Sequence, residues 1–243
     1  MTTIHLVTPI TTRGLRNLDE IAHLAGPSLQ FTHSLLDRGP PSIESLYDEA
    51  FAVPDTLVKV AEAECAGADA IVIDCMGDPG LKPARELVSI PVLGPAESSM
   101  HFAAMLGQKF SIVTILDAVR PMLGNLARLY GVHEKLASIL VVDIPALELE
   151  ERLGEVQQRL SERAVEAIER DGADVIVLGC TGFRDCATTI ESYLKERGHS
   201  VPVIDPIIAA VCMAEAMVKA GLRQSKRTYP QPRPKPIVGF EIP

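Results

Sequence analysis

The chain contains one segment twice, first as Gly67-Ala68-Asp69-Ala70-Ile71-Val72-Ile73-Asp74-Cys75-Met76-Gly77 and then as Gly172-Ala173-Asp174-Val175-Ile176-Val177-Leu178-Gly179-Cys180-Thr181-Gly182. Aligned without gaps, the two copies agree at 7 of 11 positions. Each copy is a short apolar run of strand composition that ends in a cysteine and a glycine-containing turn. Ligands of parallel α/β sheets bind where the chain leaves the carboxyl end of a strand. The repeat therefore predicts two equivalent thiols, Cys75 and Cys180, that face one substrate from opposite sides.

Two further pairs of segments follow in the same order in both halves of the chain. Leu6-Val7-Thr8 matches Ile112-Val113-Thr114, and Ser89-Ile90-Pro91-Val92 matches Ser200-Val201-Pro202-Val203. Strands alternate with helices throughout, which predicts parallel sheets. We predict an α/β protein of two similar Rossmann-like (flavodoxin-like) parallel-sheet domains, related by a pseudo-two-fold axis, with the active site in the cleft between them. The predicted domains are residues 1–97 with 207–243, and residues 98–206.

Apolar periodicity and turn residues give the predicted elements. Strands are predicted at residues 4–8, 29–33, 70–74, 90–93, 110–114, 138–142, 174–178 and 201–204. Helices are predicted at residues 15–25, 42–65, 79–88, 95–106, 118–130, 147–170, 184–196 and 206–220. Ser42 is predicted as an N-cap. The proline-rich segment 223–243 is predicted to be extended and to dock on a neighbouring surface through Tyr229, Ile237, Val238 and Phe240.

Composition and charge argue against several classes of protein. The net charge of −9 over 243 residues, without basic patches, disfavours nucleic acid or an anionic membrane as a partner. No apolar run approaches the roughly 18–20 residues of a membrane helix. The first residues lack a basic flank and a long apolar centre, so no secretory signal is predicted. Five cysteines at unrelated spacings favour reduced thiols in the cytoplasm over a disulfide framework.

Two thiols on opposite faces of one carbon suit proton transfer with inversion. One thiol removes a proton next to a carbonyl and the other returns a proton to the opposite face. Both cysteines are predicted where a strand leads into a helix, and a helix N-terminus lowers the pKa of a thiol. Backbone N–H groups of the turns are predicted to hold the developing enolate oxygen. The predicted lining comprises the strand-end hydroxyls and the turn residues: Thr8, Thr11, Thr12, Thr114, Met76, Gly77, Thr181 and Gly182.

The same residues also allow other interpretations. A single cysteine at a strand end is usually a small buried hydrophobe, and only the matched positions favour function. Cys65, Cys186 and Cys212 have no partner in the repeat and are predicted as core or surface residues. A redox pair of Cys180 and Cys186 is disfavoured, because the spacing is not Cys-x-x-Cys.

No metal site or cofactor is predicted. The six histidines, of which His101 is the strongest candidate ligand, show no ligand spacing. The turn after Cys75 is glycine-rich but matches neither nucleotide fingerprint. Asp74 and Asp205 stand at strand ends, where they either support the site or cap the following helix.

These residues resemble the aspartate/glutamate racemase superfamily and, within it, the hydantoin racemase branch, which includes allantoin racemases. The resemblance covers nearly the whole chain and is carried by residues 39–50, 75–81, 110–114, 179–182 and 225–229. It implies a cofactor-independent racemase in which Cys75 and Cys180 alternate as acid and base, in a homo-oligomer acting on a small molecule. Glutamate racemases carry a histidine where this chain has Gly182, which favours a hydantoin-type substrate.

The chain departs from the family pattern at two places. Many relatives read Asn-Pro-Asn-Thr after the first strand, whereas this chain has Thr8-Pro9-Ile10-Thr11, and Ile115 replaces a second threonine. Pro9, Ile10 and Ile115 are therefore expected to face the substrate and to bear on which ring substituent is accepted.

Several functions stay open at this point. An aspartate/glutamate-type amino acid racemase and a maleate-type cis–trans isomerase both keep the fold, and the isomerase would use one thiolate as a covalent nucleophile. An arylmalonate-type decarboxylase needs one cysteine, so two matched thiols count against it. A solute-binding protein also suits two α/β lobes, although the thiols and the missing export signal disfavour it. A redox protein would instead oxidise Cys75 and Cys180 reversibly.

Overall fold

The computed structural model describes residues 1–14 and 18–239. The chain divides into two compact units, each built on its own sheet. Unit 1 comprises Met1–Ile43, Tyr47–Pro95 and the chain from Ala210 onward, and unit 2 comprises Glu44–Leu46 and Ala96–Ala209. Among the helices of the described residues, none has the length and apolar character to span a membrane.

Unit 1 contains a four-stranded parallel sheet. Its strands are β1 (Thr2–Thr8), β2 (Leu29–Leu35), β3 (Ala70–Ile73) and β4 (Val92–Leu93), in the spatial order β2-β1-β3-β4. The first two helices of the chain are α1 (Leu46–Cys65) and α2 (Leu81–Leu87). All four residues of β3 are buried, which explains why this inner strand is an unbroken apolar run.

Unit 2 contains a second parallel sheet of the same design. Its strands are β5 (Phe110–Thr114), β6 (Leu136–Val141), β7 (Val175–Leu178) and β8 (Val203–Ile204), in the order β6-β5-β7-β8. The helices that follow α2 along the chain are α3 (Pro95–Leu106), α4 (Arg120–Leu129), α5 (Leu153–Glu169), α6 (Cys186–Glu196) and α7 (Pro206–Lys219).

The registers of the two sheets correspond. Leu6 pairs with Val72 in unit 1, and Ile112 pairs with Val177 in unit 2. The strand order reverses between β1 and β3 and again between β5 and β7, which is where flavodoxin-like sheets bind ligands. The predicted α/β class, with two similar parallel-sheet domains, is confirmed.

Two long helices begin later than predicted. The helix α1 starts at Leu46, so the N-cap predicted at Ser42 is wrong. The residues before it serve tertiary contacts instead, because Ile43 is buried and the Glu44 carboxylate accepts the N–H of Ala146 at 2.8 Å. The helix predicted from residue 147 starts at Leu153, after a separate 3-10 helix at Ala146–Glu148.

The helix predicted at residues 15–25 is a shorter structure. A 3-10 helix spans Leu18–Leu24, and Ile21 is its buried residue. A segment that buries so little apolar surface gains little tertiary stabilisation for an α-helix. Leu15, part of the predicted apolar face, lies outside the described residues.

The segment after α7 docks on unit 1 mainly through polar atoms. The Gln224 amide exchanges two hydrogen bonds with the backbone of Val92, at 3.1 and 3.0 Å. The Lys226 ammonium donates to three carbonyls at the end of α2, those of Arg85, Glu86 and Val88, at 2.8, 3.0 and 2.6 Å.

The apolar docking predicted for this segment is correct only at Tyr229. The guanidinium of Arg85 lies 5.7 Å from the centre of the Tyr229 ring. Val238 is 98% exposed and Ile237 is 50% exposed, so docking through these two side chains is wrong. Phe240 lies outside the described residues.

Candidate active site

The first thiol lies in a tight turn at the carboxyl end of β3. The strand ends at Ile73, and Cys75 follows two residues later with its side chain half-buried. The N–H of Gly77 donates to the Cys75 sulfur at 3.4 Å. The N–H of Asp78 closes the turn by donating to the Cys75 carbonyl at 3.0 Å.

The second thiol lies in the equivalent turn of unit 2. The strand β7 ends at Leu178, and the half-buried Cys180 again follows two residues later. The N–H of Gly182 donates to the Cys180 sulfur at 3.3 Å, and the N–H of Phe183 donates to the Cys180 carbonyl at 3.3 Å. The two copies of the repeated segment thus build the same thiol environment.

Neither thiol lies at a helix N-terminus as predicted. The helix α2 starts at Leu81 and α6 at Cys186, in each case six residues after the cysteine. The intervening turn ends in a left-handed residue in both units, Gly80 at φ 73° and Asp185 at φ 54°. The helix dipole acts mainly within the first turn, so it reaches these sulfurs weakly, whereas the N–H two residues later donates to each sulfur directly.

Each thiol turn leaves its sheet beside the end of the unit's first strand. The N–H of Asp74 donates to the Val7 carbonyl at 2.8 Å, and the N–H of Gly179 donates to the Val113 carbonyl at 2.7 Å. The turns therefore occupy the switch points of the two sheets, where the strand order reverses.

The strand-end threonines form hydrogen bonds within their own units. In unit 1 the Thr8 hydroxyl donates to the Asp74 carboxylate at 2.7 Å and lies 2.9 Å from Nε2 of His33. In unit 2 the Thr114 hydroxyl donates to the Gly179 carbonyl at 2.9 Å. Each hydroxyl donates its single proton within the protein, so it can act toward any further group only as an acceptor.

The predicted residues that follow β1 link two loops of unit 1. Pro9 is buried, and the carbonyl of Ile10 accepts the N–H of Leu36 at 3.0 Å. Thr11 donates to the Pro40 carbonyl through its N–H at 3.0 Å and its hydroxyl at 3.3 Å. The Thr12 hydroxyl donates in the same way to the Pro41 carbonyl, at 2.8 Å.

Two residues near the thiol turns were missed by sequence reasoning. Leu149 is buried, and a methyl group added at Gly182 would lie 3.1 Å from its Cδ1 and 3.4 Å from the Cys180 sulfur. Leu149 thus fills space beside the second thiol that a side chain at position 182 would need. The other missed residue is His33, which pairs in register with Leu6 on the neighbouring strand.

The remaining predicted lining residues are mostly buried. Met76 and Gly77 are buried in the first turn, and Thr181 is half-buried in the second. Ile115 is buried beyond β5, and its carbonyl accepts the N–H of Asp143 at 2.8 Å. The register equivalent of Asp74 is Gly179, so the carboxylate in unit 1 has no counterpart there.

The other cysteines differ chemically from Cys75 and Cys180. Cys186 is fully buried, and burial, together with the charges of Asp185 and Asp205, raises the pKa of its thiol to about 12. Burial likewise raises the pKa of Cys212. Cys65 is exposed. All five cysteines lie in the described part of the chain and none forms a disulfide.

The structure locates Asp205, a predicted supporting group, and His101, the histidine that was the strongest candidate metal ligand. The Asp205 carboxylate accepts the N–H groups of Ile207 and Ile208 at 2.9 and 3.1 Å, so it caps α7. The ring of His101 lies 6.5 Å from that of Tyr130. Residues 1–14 and 18–239 contain no group of three or more His, Cys, Asp or Glu side chains placed to hold a metal ion.

The chain is similar to known racemases along almost its whole length. Residues 4–214 match the family model described as Asp/Glu/Hydantoin racemase. A hydantoin racemase from Pseudomonas sp. (strain NS671) is 38% identical over 239 residues, which is 97% of this chain and 94% of that protein.

Two solved structures are also similar. The allantoin racemase of Klebsiella pneumoniae has a TM-score of 0.91 and 36% identity, covering 98% of this chain and 97% of its own. The allantoin racemase of Pseudomonas fluorescens has a TM-score of 0.88 and 30% identity, covering 98% of this chain and 100% of its own.

Proposed function

The chain belongs to the Asp/Glu/hydantoin racemase family, and on that premise we propose that it racemises hydantoin-type substrates, either 5-substituted hydantoins or allantoin. The proposed mechanism is cofactor-independent two-base proton transfer, with Cys75 and Cys180 as the alternating acid and base. The observation that carries the proposal is the pair of matched turns, in which each sulfur accepts the N–H two residues later.

In one direction the Cys75 thiolate takes the proton from the stereogenic carbon. The electron pair of that C–H bond passes into the adjacent carbonyl and forms an enolate. The Cys180 thiol then returns a proton to the other face of the carbon and becomes the thiolate. The opposite enantiomer uses the two cysteines in exchanged roles, and proton exchange with water restores the starting state.

The turn amides support this chemistry in two ways. A hydrogen bond to the charged form of an acid favours that form, so the N–H groups of Gly77 and Gly182 favour the thiolates. These two N–H groups, like those of Asp78 and Phe183 that close the turns, are engaged within the protein. Among the amides of the first turn, we therefore assign the enolate oxygen to that of Met76.

The hydantoin-type substrate is favoured by the surroundings of Cys180. Leu149 fills the space beside Gly182, so the second thiol has an apolar neighbour. A hydantoin ring spreads the enolate charge into an imide, whereas deprotonating a free amino acid creates a carboxylate dianion. An apolar neighbour suits the less charged ring, and the similar proteins carry the names hydantoin racemase and allantoin racemase.

Enantiopure hydantoins, allantoin, aspartate and glutamate, each followed by polarimetry in D2O against an enzyme-free control, test the substrate and the reaction together. We expect loss of optical rotation for a hydantoin or allantoin, with one deuterium entering the stereogenic carbon. Racemisation of aspartate or glutamate alone would overturn the hydantoin assignment. Conversion of maleate to fumarate without racemisation would identify the isomerase instead.

Serine variants test the two-thiol mechanism. We expect C75S and C180S each to lower turnover roughly 10²- to 10⁴-fold, the range that acid–base groups contribute. The matched control is C65S, since Cys65 is exposed and lies at the end of α1. Full turnover in either C75S or C180S would overturn the mechanism.

We also propose a cytoplasmic homo-oligomer. Five cysteines without a disulfide suit a reducing compartment. The rings of Tyr47 and Phe51 lie 4.9 Å apart on α1 and are mostly exposed, as expected of a surface that another subunit covers. Light scattering coupled to size exclusion measures the assembly, and a mass equal to one chain would exclude it.

A further inference from the structure

We infer that His33 is a positioning residue for the Cys75 turn, acting through Thr8 and Asp74. The inference rests on the proposed role of Cys75 as an acid–base group and assigns its support to a residue outside the repeated segment. His33 lies on β2, which pairs with one edge of β1. The strand β3, which leads into the thiol turn, pairs with the other edge of β1.

The three side chains form a directed chain of hydrogen bonds. The Thr8 hydroxyl donates its only proton to Oδ2 of Asp74 at 2.7 Å. The same hydroxyl can therefore only accept in its 2.9 Å contact with Nε2 of His33. The ring nitrogen carries the hydrogen and donates it. The histidine N–H thereby selects the hydroxyl rotamer that points at the carboxylate.

Burial makes this chain energetically important. Asp74 is 2% exposed and Thr8 is 6% exposed. A carboxylate removed from water is stable only when hydrogen bonds replace its hydration. A hydrogen bond that fixes the Thr8 proton on Asp74 therefore helps to hold the carboxylate in place.

The position of Asp74 transmits this effect to the thiol. Asp74 directly precedes Cys75, and its N–H is bonded to β1 at the Val7 carbonyl. A shift of the carboxylate moves the residue on which the turn starts. When the hydrogen bond to the carboxylate weakens, its negative charge is less well compensated. This charge next to the sulfur then disfavours the thiolate.

Unit 2 lacks this chain of side chains, which makes the effect specific to one thiol. The register equivalents of Thr8, His33 and Asp74 are Thr114, Ile139 and Gly179. A side chain at Gly179 is sterically excluded, because its Cβ would lie 2.6 Å from that of Thr114. The Thr114 hydroxyl is oriented by a backbone carbonyl instead.

Alkylation rates of the individual thiols test the inference without a turnover assay. The full-length protein is treated with iodoacetamide at one fixed pH, and the modified peptides are quantified by mass spectrometry over time. We expect H33L to slow alkylation of Cys75 roughly three- to tenfold, corresponding to a pKa change of about 0.5–1 unit. Alkylation of Cys180 in the same sample is expected to stay within about twofold.

Conservative variants separate positioning from a general structural role. H33Q retains an N–H donor and is expected to restore most of the Cys75 rate. T8V removes the hydroxyl from a side chain of the same shape and is expected to act like H33L, whereas T8S acts like the wild type. T8V also provides the test if H33L does not fold. The control is H23Q, because His23 is exposed and is not one of the three linked side chains.

Any of three outcomes would overturn the inference. One is an unchanged Cys75 rate in the folded H33L or T8V variant. The other two are a parallel change at Cys75 and Cys180 and no recovery in H33Q, either of which would mean that His33 stabilises the protein generally. A protein that shows the Cys75 effect but does not racemise hydantoins would refute the proposed function alone.

Discussion

The backbone N–H of Gly182 donates to the sulfur of Cys180 across 3.3 Å. Gly77 and Cys75 have the same relationship in the other unit, at 3.4 Å. Because the two turns are built on separate sheets, their agreement reflects the shared Cys-x-Gly pattern and the strand that precedes it. In both units the glycine brings its N–H to the sulfur, and a donor in this place favours the charged form of a thiol.

A methyl group at Gly182 is expected to disturb this geometry. The added carbon would lie 3.1 Å from Cδ1 of Leu149 and 3.4 Å from the Cys180 sulfur, so one of them must move. We expect G182A to lower the racemisation rate roughly three- to tenfold, because crowding displaces side chains from their preferred positions. Combining it with L149A is expected to restore part of the loss. Polarimetry of the variants measures both effects.

The matched control for this prediction is G154A on α5. No heavy atom lies within 4 Å of the position of an added Cβ at Gly154. Wild-type rates in G182A, or a G154A rate that falls equally, would show that space beside Cys180 is unimportant.

Gly179 is expected to be required for stability. An added Cβ would lie 2.6 Å from Cβ of Thr114 and 2.7 Å from Cγ2 of Ile112, both on the adjacent strand. Neither atom belongs to the far end of a flexible side chain, so the strands would have to separate. We expect G179A to lower the free energy of unfolding by about 1–3 kcal/mol, as overpacked cores do. Urea denaturation measures this, and a stability equal to that of G154A would contradict it.

The inner strands and the two thiol turns were predictable because they depend on local sequence. A parallel strand buried on both faces is mostly apolar, so β3, β5 and β7 are visible in the sequence. The repeated segment then locates both cysteines after such strands. The acid–base roles of Cys75 and Cys180 stay proposals, because a hydrogen bond to each sulfur does not by itself demonstrate a reaction.

Features that depend on distant residues were not predictable. The late start of α1 follows from the contact of Glu44 with Ala146, about a hundred residues away in the chain. Leu149 reaches the second thiol turn, and His33 reaches Thr8, only through the folded arrangement of each unit. A single leucine or histidine in a sequence carries no sign of such a contact, so only the structure could identify them.

Lys226 is expected to stabilise the end of α2. Its ammonium group donates to three carbonyls there, and a cation at a helix C-terminus also complements the helix dipole. K226M keeps the aliphatic part of the side chain and removes the charge. Lys226 is itself exposed, so we expect a loss of about 1 kcal/mol in the free energy of unfolding, below the range for buried hydrogen bonds to charged groups.

The control for Lys226 is K219M. Lys219 forms an ion pair with Glu215 at 2.6 Å, but its side chain is 62% exposed. Exposed pairs contribute little, so K219M is expected to unfold within about 1 kcal/mol of the wild type. Equal losses in the two variants would mean that the carbonyl contacts of Lys226 add nothing.

His5 is expected to make the protein less stable in mild acid. Its ring lies between the Thr32 and Ser34 hydroxyls, at 2.8 and 2.9 Å, and burial, aided by the nearby His33, lowers its pKa to about 4. An unfolded histidine has a pKa of about 6.5, so between these values the unfolded state binds the proton and the folded state does not. The protein therefore loses stability as the pH falls from about 6.5 to about 4, by up to roughly 3 kcal/mol. Above about pH 6.5 this contribution is constant.

In H5Q, whose side chain does not titrate, the melting temperature is expected to fall less between pH 7 and pH 4.5 than in the wild type. The exposed His23 provides the control variant H23Q, which should follow the wild-type profile. Parallel profiles for all three proteins would show that His5 is not the group responsible.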